Sequence, residues 1–319
     1  MKIVVTGAAG FIGSHLAETL AKQGHTVVGI DSFTDYYAAR LKQANADAIE
    51  AAGVTLHRLD LATDDLTSAL QDVEFVFHLA GQPGISAAVP MADFVRNNLV
   101  MMNQLLLACQ QQSTLRCFVN IATSSIYGRH AYDSEEAPPK PTSYYGVTKL
   151  AAEQLALAFH REQNLPACSL RIFSVIGPRE RPEKLYPKLI RSILTDTPFP
   201  LFEGSTEHSR SYSYVGDIVE GFTAVLDRPD QVIGEIINMG SDIERTTGQG
   251  IAIIEKIMGK KATFDMKPKR PGDQLHTCAN ISKAKRLLGY TPHTTLEEAL
   301  AAEVAWYVND IYGRNLHNE

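Results

Sequence analysis

The stretch "KIVVTGAAGFIGSHLAETLAKQGHTVVGID", residues 2–31, constrains the fold more than any other. A β-branched run, a glycine-rich turn, a helical stretch and a second β-branched run follow one another without a break. The same alternation continues. "VTLHRLDL" and "EFVFHLAG" read as strands, "NNLVMMNQLLLACQQ" as a helix and "CFVNIATS" as a strand. "YYGVTKLAAEQLALAFHREQ" reads as a long helix and "ACSLRIFSVIG" as another strand. Strands that alternate with helices pair in parallel through right-handed crossovers. The expected fold is therefore α/β, a doubly wound parallel sheet. After Gly177 the pattern loosens. "PRERPEKLYPKLIRSILTD" opens as a charged, proline-bearing loop and becomes helical, and the C-terminal part mixes short strands and helices. That part is expected to form a smaller C-terminal α/β cap with a cleft between it and the sheet.

Composition excludes several alternatives. The 319 residues are 45% hydrophobic and 21% charged, enough for a substantial core. A net charge of -6 and the shortness of "KPKR" (267–270) give no footprint for nucleic acid. No apolar run is long enough to span a bilayer, and the N-terminus lacks the apolar region of a signal peptide. Cys109, Cys117, Cys168 and Cys278 form no C-x-x-C pair, and the ten histidines show no metal-ligand spacing. The expectation is a cytoplasmic protein with reduced thiols, no resident metal and no membrane partner.

"TGAAGFIG" places Gly7, Gly10 and Gly13 between a strand and a helix. Glycines there permit a tight turn and close backbone approach to a pyrophosphate, and the helix N-terminus adds N–H groups and the positive end of its dipole. A glycine trio alone is weak evidence, since a plain tight strand–helix turn also uses glycines. Asp31, at the end of the second strand and 18 residues after Gly13, decides for the Rossmann-type reading. Its carboxylate can accept hydrogen bonds from a ribose 2′-OH and repels a 2′-phosphate, which favours NAD over NADP. Asp60, in "HRLDL", is a candidate for the adenine edge or a cap before "DDLTSAL".

The strand "CFVNIATSSIYG" ends in Thr123, Ser124 and Ser125, hydroxyls at the carboxyl end of a strand, where an α/β sheet opens its ligand crevice. Tyr145 and Lys149 follow at helical spacing i, i+4 and share a face. In this order, the glycine turn, acidic strand end, hydroxyl-bearing strand end and Y-x-x-x-K helix resemble the extended short-chain dehydrogenase/reductase family over essentially the whole chain. The resemblance implies that Tyr145 is an acid/base on a substrate hydroxyl. It implies that Lys149 lowers the tyrosine pKa and holds the nicotinamide ribose, and that Thr123 shares a hydrogen bond with the reacting oxygen. A free phenol near pKa 10 is a poor base at pH 7, so a nearby cation is needed. The implied cofactor set is Gly7, Gly10, Phe11, Ile12, Gly13, Asp31, Asp60, Leu61, Leu79, Ala80, Tyr145 and Lys149. Tyr144 has threonine four residues on and reads as packing.

"HLAGQPGISAAVP" (78–90), "RIFSVIGPRERPE" (171–183), "SRSYSYVGDIVEG" (209–221) and "KRPGDQLHTCANISKAKRLLGYTP" (269–292) resemble the NAD-dependent nucleotide-sugar epimerases and dehydratases. Residues 1–176 are then the NAD-binding domain, with a segment about 211–240 returning to it, and 177–319 mainly a nucleotide-sugar-binding cap. The resemblance implies that Arg210 and Arg270 hold a diphosphate, as arginine forks suit phosphate oxygens, with Asp273 beside them. The related dehydratases carry Asp-Glu directly after the hydroxyl residue, and decarboxylases a Glu two residues after it. Ser124 and Ser125 cannot supply that acid/base chemistry near neutral pH. Epimerisation through a transient 4-keto sugar remains. "DSFTDYY", "HLAGQPG" and "GPRERPE" look like the UDP-glucuronate 4-epimerases, in which Ser124, Ser125, Ser174 and Arg181 would face the substrate. Ser86 departs from that subgroup's arginine and Gly216 from a common aspartate.

The expected reaction is UDP-glucuronate to UDP-galacturonate. The alternatives are 4-epimerisation of a neutral UDP-hexose, 2-epimerisation of a CDP-sugar, decarboxylation, a simple NADH-consuming reductase, and a non-catalytic NAD-binding sensor or scaffold. The family usually dimerises through a four-helix bundle. Leu99, Met101, Met102, Leu105, Leu106 and Leu107 give the helix around 97–111 more apolar surface than one buried face needs, so a homodimer is expected.

Overall fold

The structure, a computed structural model, describes residues 1–84, 89–129, 131–269 and 275–317. Its centre is a seven-stranded sheet. Six of the strands are β1 (Lys2–Thr6), β2 (Thr26–Asp31), β3 (Thr55–Arg58), β4 (Phe75–His78), β5 (Cys117–Thr123) and β6 (Ala167–Ile172). Strand Ile236–Met239 pairs with β6 at one edge. From that edge the order runs β6, β5, β4, β1, β2, β3, and every pairing is parallel. The winding reverses between β1 and β4, so the crevice at their carboxyl ends is the natural ligand site.

The strands are buried on both faces, which explains their near-continuous apolar sequences. Alternate residues serve opposite layers. Ile3, Val5, Phe75, Phe77 and Val119 pack with Leu16 and Leu20 of helix Phe11–Lys22 and Phe222 of helix Val215–Asp227. Val4, Val76 and Phe118 pack with Met102, Leu105 and Leu106 of helix Met101–Gln110 and with Ala152, Ala156 and Phe159 of helix Tyr144–Gln163. A third core joins Tyr186, Leu189 and Ile190 to Ile251, Ile254 and Leu300 in the C-terminal part. There a short strand Ser209–Arg210 lies between Arg245–Thr246 and His276–Thr277.

The helix over 144–163 has the bounds its sequence predicts. Ser143 caps it by accepting a hydrogen bond from Gly146 N at 3.1 Å, and Asn164 ends it in a left-handed conformation. Two elements differ from expectation. Ala39–Ala51 is helical, although Ala38 offers no side-chain cap to announce it. The helix expected around 97–111 is not uniform. It starts at Met91–Val95, passes through a π turn at Arg96–Val100, and continues as Met101–Gln110. The wider turn buries Asn98, which accepts from Gln82 N at 2.8 Å and donates to Thr148 Oγ1 at 2.9 Å.

The first turn is built on backbone contact. Gly7 has φ +70°, Gly10 N donates to Gly7 O at 3.0 Å, and a Cβ on Gly13 would lie 2.1 Å from Gly7 O. Gly13→Ala is therefore expected to cost about 1–3 kcal/mol through overpacking. Urea unfolding checks this as a lower midpoint at unchanged slope.

Candidate active site

The glycine turn fits a phosphate group. Helix Phe11–Lys22 starts at Gly10 with no side-chain cap and no acid in its first turn. Ser14 N makes the first helical bond, to Gly10 O, so the N–H groups of Phe11, Ile12 and Gly13 lie ahead of the ladder. A Cβ on Gly7 would meet Ala80 N at 2.9 Å, so the turn and the exit of β4 close on each other. Thr6 Oγ1 holds that exit, accepting from Ala80 N at 3.2 Å and bonding His78 Nδ1 at 2.9 Å. Leu79 and Ala80 are half-buried beside it, and Leu61 is buried in the layer below.

Asp31 ends β2. Its Oδ2 accepts from Ala9 N at 3.1 Å and its Oδ1 from Phe33 N at 2.8 Å, which leaves each oxygen further acceptor capacity for ribose hydroxyls. The residues at this end fit a dinucleotide. Asp60 lies in the turn after β3. Its Oδ1 accepts from Ala62 N at 2.9 Å and its Oδ2 pairs with Arg96 at 2.5 Å. Burial opposes its charge, but these two bonds prevail and hold the carboxyl below its ordinary range.

At the other end, Thr123 closes β5 and caps the short turn Ser124–Tyr127, accepting from Ser125 N at 3.2 Å. Its hydroxyl also lies close enough to the Tyr145 phenol to act on it. Burial pushes that phenol up; the Thr123 hydroxyl and the Arg181 guanidinium pull it back only in part. The cation acting on the phenol thus comes from the 177–183 segment, and Lys149, to which the sequence assigns that role, is not among the groups that move it. Lys149 is buried, and desolvation drives its ammonium down to about 8 while Glu153 opposes the fall. Its charge also reaches His78 at the end of β4. The ammonium therefore belongs to the crevice between β4 and β5.

Arg181 pairs with Glu183 at 2.9 Å and lies over the Tyr36 ring at 5.5 Å. Tyr36 comes from the "DSFTDYY" stretch and closes on Gly84, whose added Cβ would lie 2.5 Å from its hydroxyl. Ser124, Ser125 and Ser174 are half-buried; Ser174 O accepts from Ser213 N at 2.8 Å. Arg210 sits in the small C-terminal sheet, donating to Ser209 O at 2.7 Å. Arg270, Asp273 and Ser86 lie outside the described residues. Thus Thr123, Tyr145 and Arg181 are brought together, and Arg210 stands with a separate element.

Sequence reasoning missed Asn98, Tyr36, and the buried Glu153–Arg171 pair. Glu153, one turn beyond Lys149 on the same face, and Tyr36, within "DSFTDYY", carried a signal. Among the described residues, Asp217, Glu220 and His293 group as metal-ligand types. Asp217 already accepts from His293 N, Thr294 N and Thr294 Oγ1, so it locks the 293–294 loop. No described helix is long and apolar enough to cross a membrane.

The chain belongs to the NAD dependent epimerase/dehydratase family, whose profile matches residues 3–240, and it is an enzyme of that family. It is 39% identical over 317 residues to a Bacillus subtilis protein called uncharacterized UDP-glucose epimerase YtcB, covering 98% of this chain and 99% of that one. It is 32% identical to UDP-glucuronate 4-epimerase 2 of Arabidopsis thaliana, covering 97% and 76%. A crystal structure of the UDP-glucuronic acid 4-epimerase from Bacillus cereus, in complex with UDP-glucuronic acid and NAD, superposes with a TM-score of 0.92 at 39% identity, covering 97% and 99%.

The buried ammonium has a consequence for stability. Burial pushes the Lys149 ammonium down to about 8 in the folded chain, from the 10.5 ordinary for a solvated lysine. Its desolvation cost is complete below pH 8 and is relieved as pH rises toward 10.5, because the unfolded state then holds the extra proton. Lys149→Met is expected to be more stable than wild type at pH 7 by up to about 3 kcal/mol. Urea melts at pH 7 and pH 10 check it: the gap closes at the higher pH.

Proposed function

We propose that the protein is an NAD-dependent 4-epimerase of UDP-glucuronate, forming UDP-galacturonate through a transient 4-keto sugar. The observation that carries this reading is the Thr123–Tyr145 couple at the end of β5, followed by Ser124 and Ser125 rather than carboxylates. Bound NAD supplies a hydride acceptor that is regenerated within each cycle. The glycine turn and the helix N-terminus hold its pyrophosphate, Asp31 its adenosine ribose, and Lys149 the nicotinamide ribose; Asp60, Leu61, Leu79 and Ala80 flank it. Tyr145 takes the proton of the C4 hydroxyl and returns it, and Thr123 fixes the phenol oxygen. The positive charge of Arg181 favours the phenolate that burial alone disfavours. Ser124 and Ser125 lack the acid/base range for water loss, so the keto sugar turns and is reduced on its other face. Ser124, Ser125, Ser174 and Arg181 donate to the sugar carboxylate. Arg210, with Arg270 and Asp273 from the segment outside the described residues, holds the diphosphate.

A neutral UDP-hexose is the second reading, favoured by the name of the Bacillus subtilis relative. Purified protein with catalytic NAD decides between them. UDP-glucuronate is expected to give UDP-galacturonate with no net NADH. Turnover of UDP-glucose alone would replace the acid by the neutral sugar, and CO2 with a UDP-pentose would make the reaction a decarboxylation. Tyr145→Phe is expected to bind NAD as wild type does and to lose at least about 1,000-fold in kcat.

We infer a homodimer through helices Met101–Gln110 and Tyr144–Gln163. Met101, Met102, Leu105 and Leu106 are buried within the subunit, so the expected apolar excess is smaller than the sequence suggests. Val100 and Leu107, both 42% exposed, remain outside, together with Tyr144 and Val147 on the neighbouring helix. Those four support a second copy packing there. Leu107→Glu combined with Val147→Glu is expected to sediment as a monomer; a wild-type monomer would refute the dimer.

A further inference from the structure

Beneath the site lies a buried ion pair. Glu153 is fully buried one helical turn beyond Lys149. Arg171, on β6, grips its carboxylate with both arms of the fork: Nε to Oε2 at 2.9 Å and Nη2 to Oε1 at 2.6 Å. Ser169 Oγ adds a bond to Oε2 at 3.0 Å. Arg171 Nη1 donates to Tyr127 Oη at 2.8 Å, and Tyr127 Oη donates to Asn238 Oδ1 at 2.8 Å. Tyr127 ends the turn that Thr123 caps. The network therefore ties the helix carrying Tyr145 and Lys149, the segment carrying Thr123, Ser124 and Ser125, and the strand leading to Ser174.

We propose that Glu153 is the positioning residue for Lys149, and that Arg171 and Tyr127 carry its hold across the sheet to the Thr123–Ser125 segment. This rests on the cofactor role given to Lys149 above. A buried ion pair gives little net stability over packed apolar groups, so its retention here calls for another use. The geometry supplies one. With its oxygens committed to Arg171 and Ser169, Glu153 bends no hydrogen bond toward Lys149, yet its charge acts on the ammonium from the same helix face. Lys149 stays protonated and remains available to a ribose. The groups acting on its charge are Glu153 on its own helix and His78 on β4; those facing Glu153 are Arg171 and Ser169.

The test uses NADH binding, read by fluorescence between pH 6.5 and 9.5, in wild type and Glu153→Gln. Wild-type affinity is expected to fall as Lys149 loses its proton. Removing one nearby opposite charge shifts that fall to lower pH by about one unit, so that near pH 8 the variant binds roughly 5-fold more weakly and near pH 9 roughly 10-fold, with affinities near pH 6.5 within about 3-fold. Superimposable curves would overturn the proposal. Should Glu153→Gln not fold, Glu153→Gln with Arg171→Met leaves no unpaired buried charge. It is expected to retain a shift of about half a unit, because a cation has gone as well; no shift overturns the proposal. Tyr127→Phe is expected to lower kcat about 10-fold with KM within about 2-fold; unchanged kcat removes Tyr127 from the brace. If wild type shows the NADH effect but turns over no nucleotide sugar, the sugar reading fails and the brace stands. If wild type epimerises and the curves coincide, the brace alone fails. Wild type that binds no NADH refutes both.

Discussion

Everything at the site depends on how closely the glycine turn packs between β1 and β4. Gly13 lies against Gly7 O with no room for a Cβ, and Gly7 lies against the backbone of Ala80 in the same way. This contact brings the N-terminus of helix Phe11–Lys22 to the point where the winding of the sheet reverses. Asp31 fixes the turn from the other side by accepting from Ala9 N. A side chain at either glycine would separate the helix N–H groups from the crevice.

The second constraint is electrostatic. Burial acts against the Lys149 ammonium and the Tyr145 phenolate alike, raising one pKa and lowering the other. Neither residue would hold a useful charge in an apolar crevice by itself. Glu153 opposes the loss at Lys149, and Arg181 and Thr123 oppose it at Tyr145. The stabilising groups come from different elements, so the chemistry requires the sheet, the helix and the 177–183 segment to be assembled together.

That division explains what the sequence reveals. The parallel sheet is legible because buried strands and amphipathic helices leave local periodicities. The helix over 144–163 is legible to the residue because Ser143 and Asn164 mark both ends. The π turn at Arg96–Val100 leaves no local trace: it exists because Asn98 must reach both Gln82 and Thr148, which are remote in sequence. Arg171 is hidden for the same reason. It sits in a strand that otherwise reads as apolar, and its partner lies on the helix before it. Motifs report the groups that face the ligand. They do not report the charges that hold those groups in their working protonation state.

Arg181 shows how far this reaches. Its neighbour Glu180 is buried beside Glu303 of helix Leu296–Trp306, and burial pushes Glu180 up to about 7. Glu303 also accepts from Gly177 N at 3.1 Å. Two carboxyls so placed can share a proton, and they clamp the 177–180 turn to the C-terminal core. Arg181 leaves that clamp directly. The guanidinium that pulls on the Tyr145 phenol is therefore positioned by the C-terminal part, although the phenol belongs to the sheet layer. A displacement of the C-terminal core would change the charge felt at the phenol. In the proposed epimerisation, substrate contact and proton transfer would for this reason be coupled through one junction.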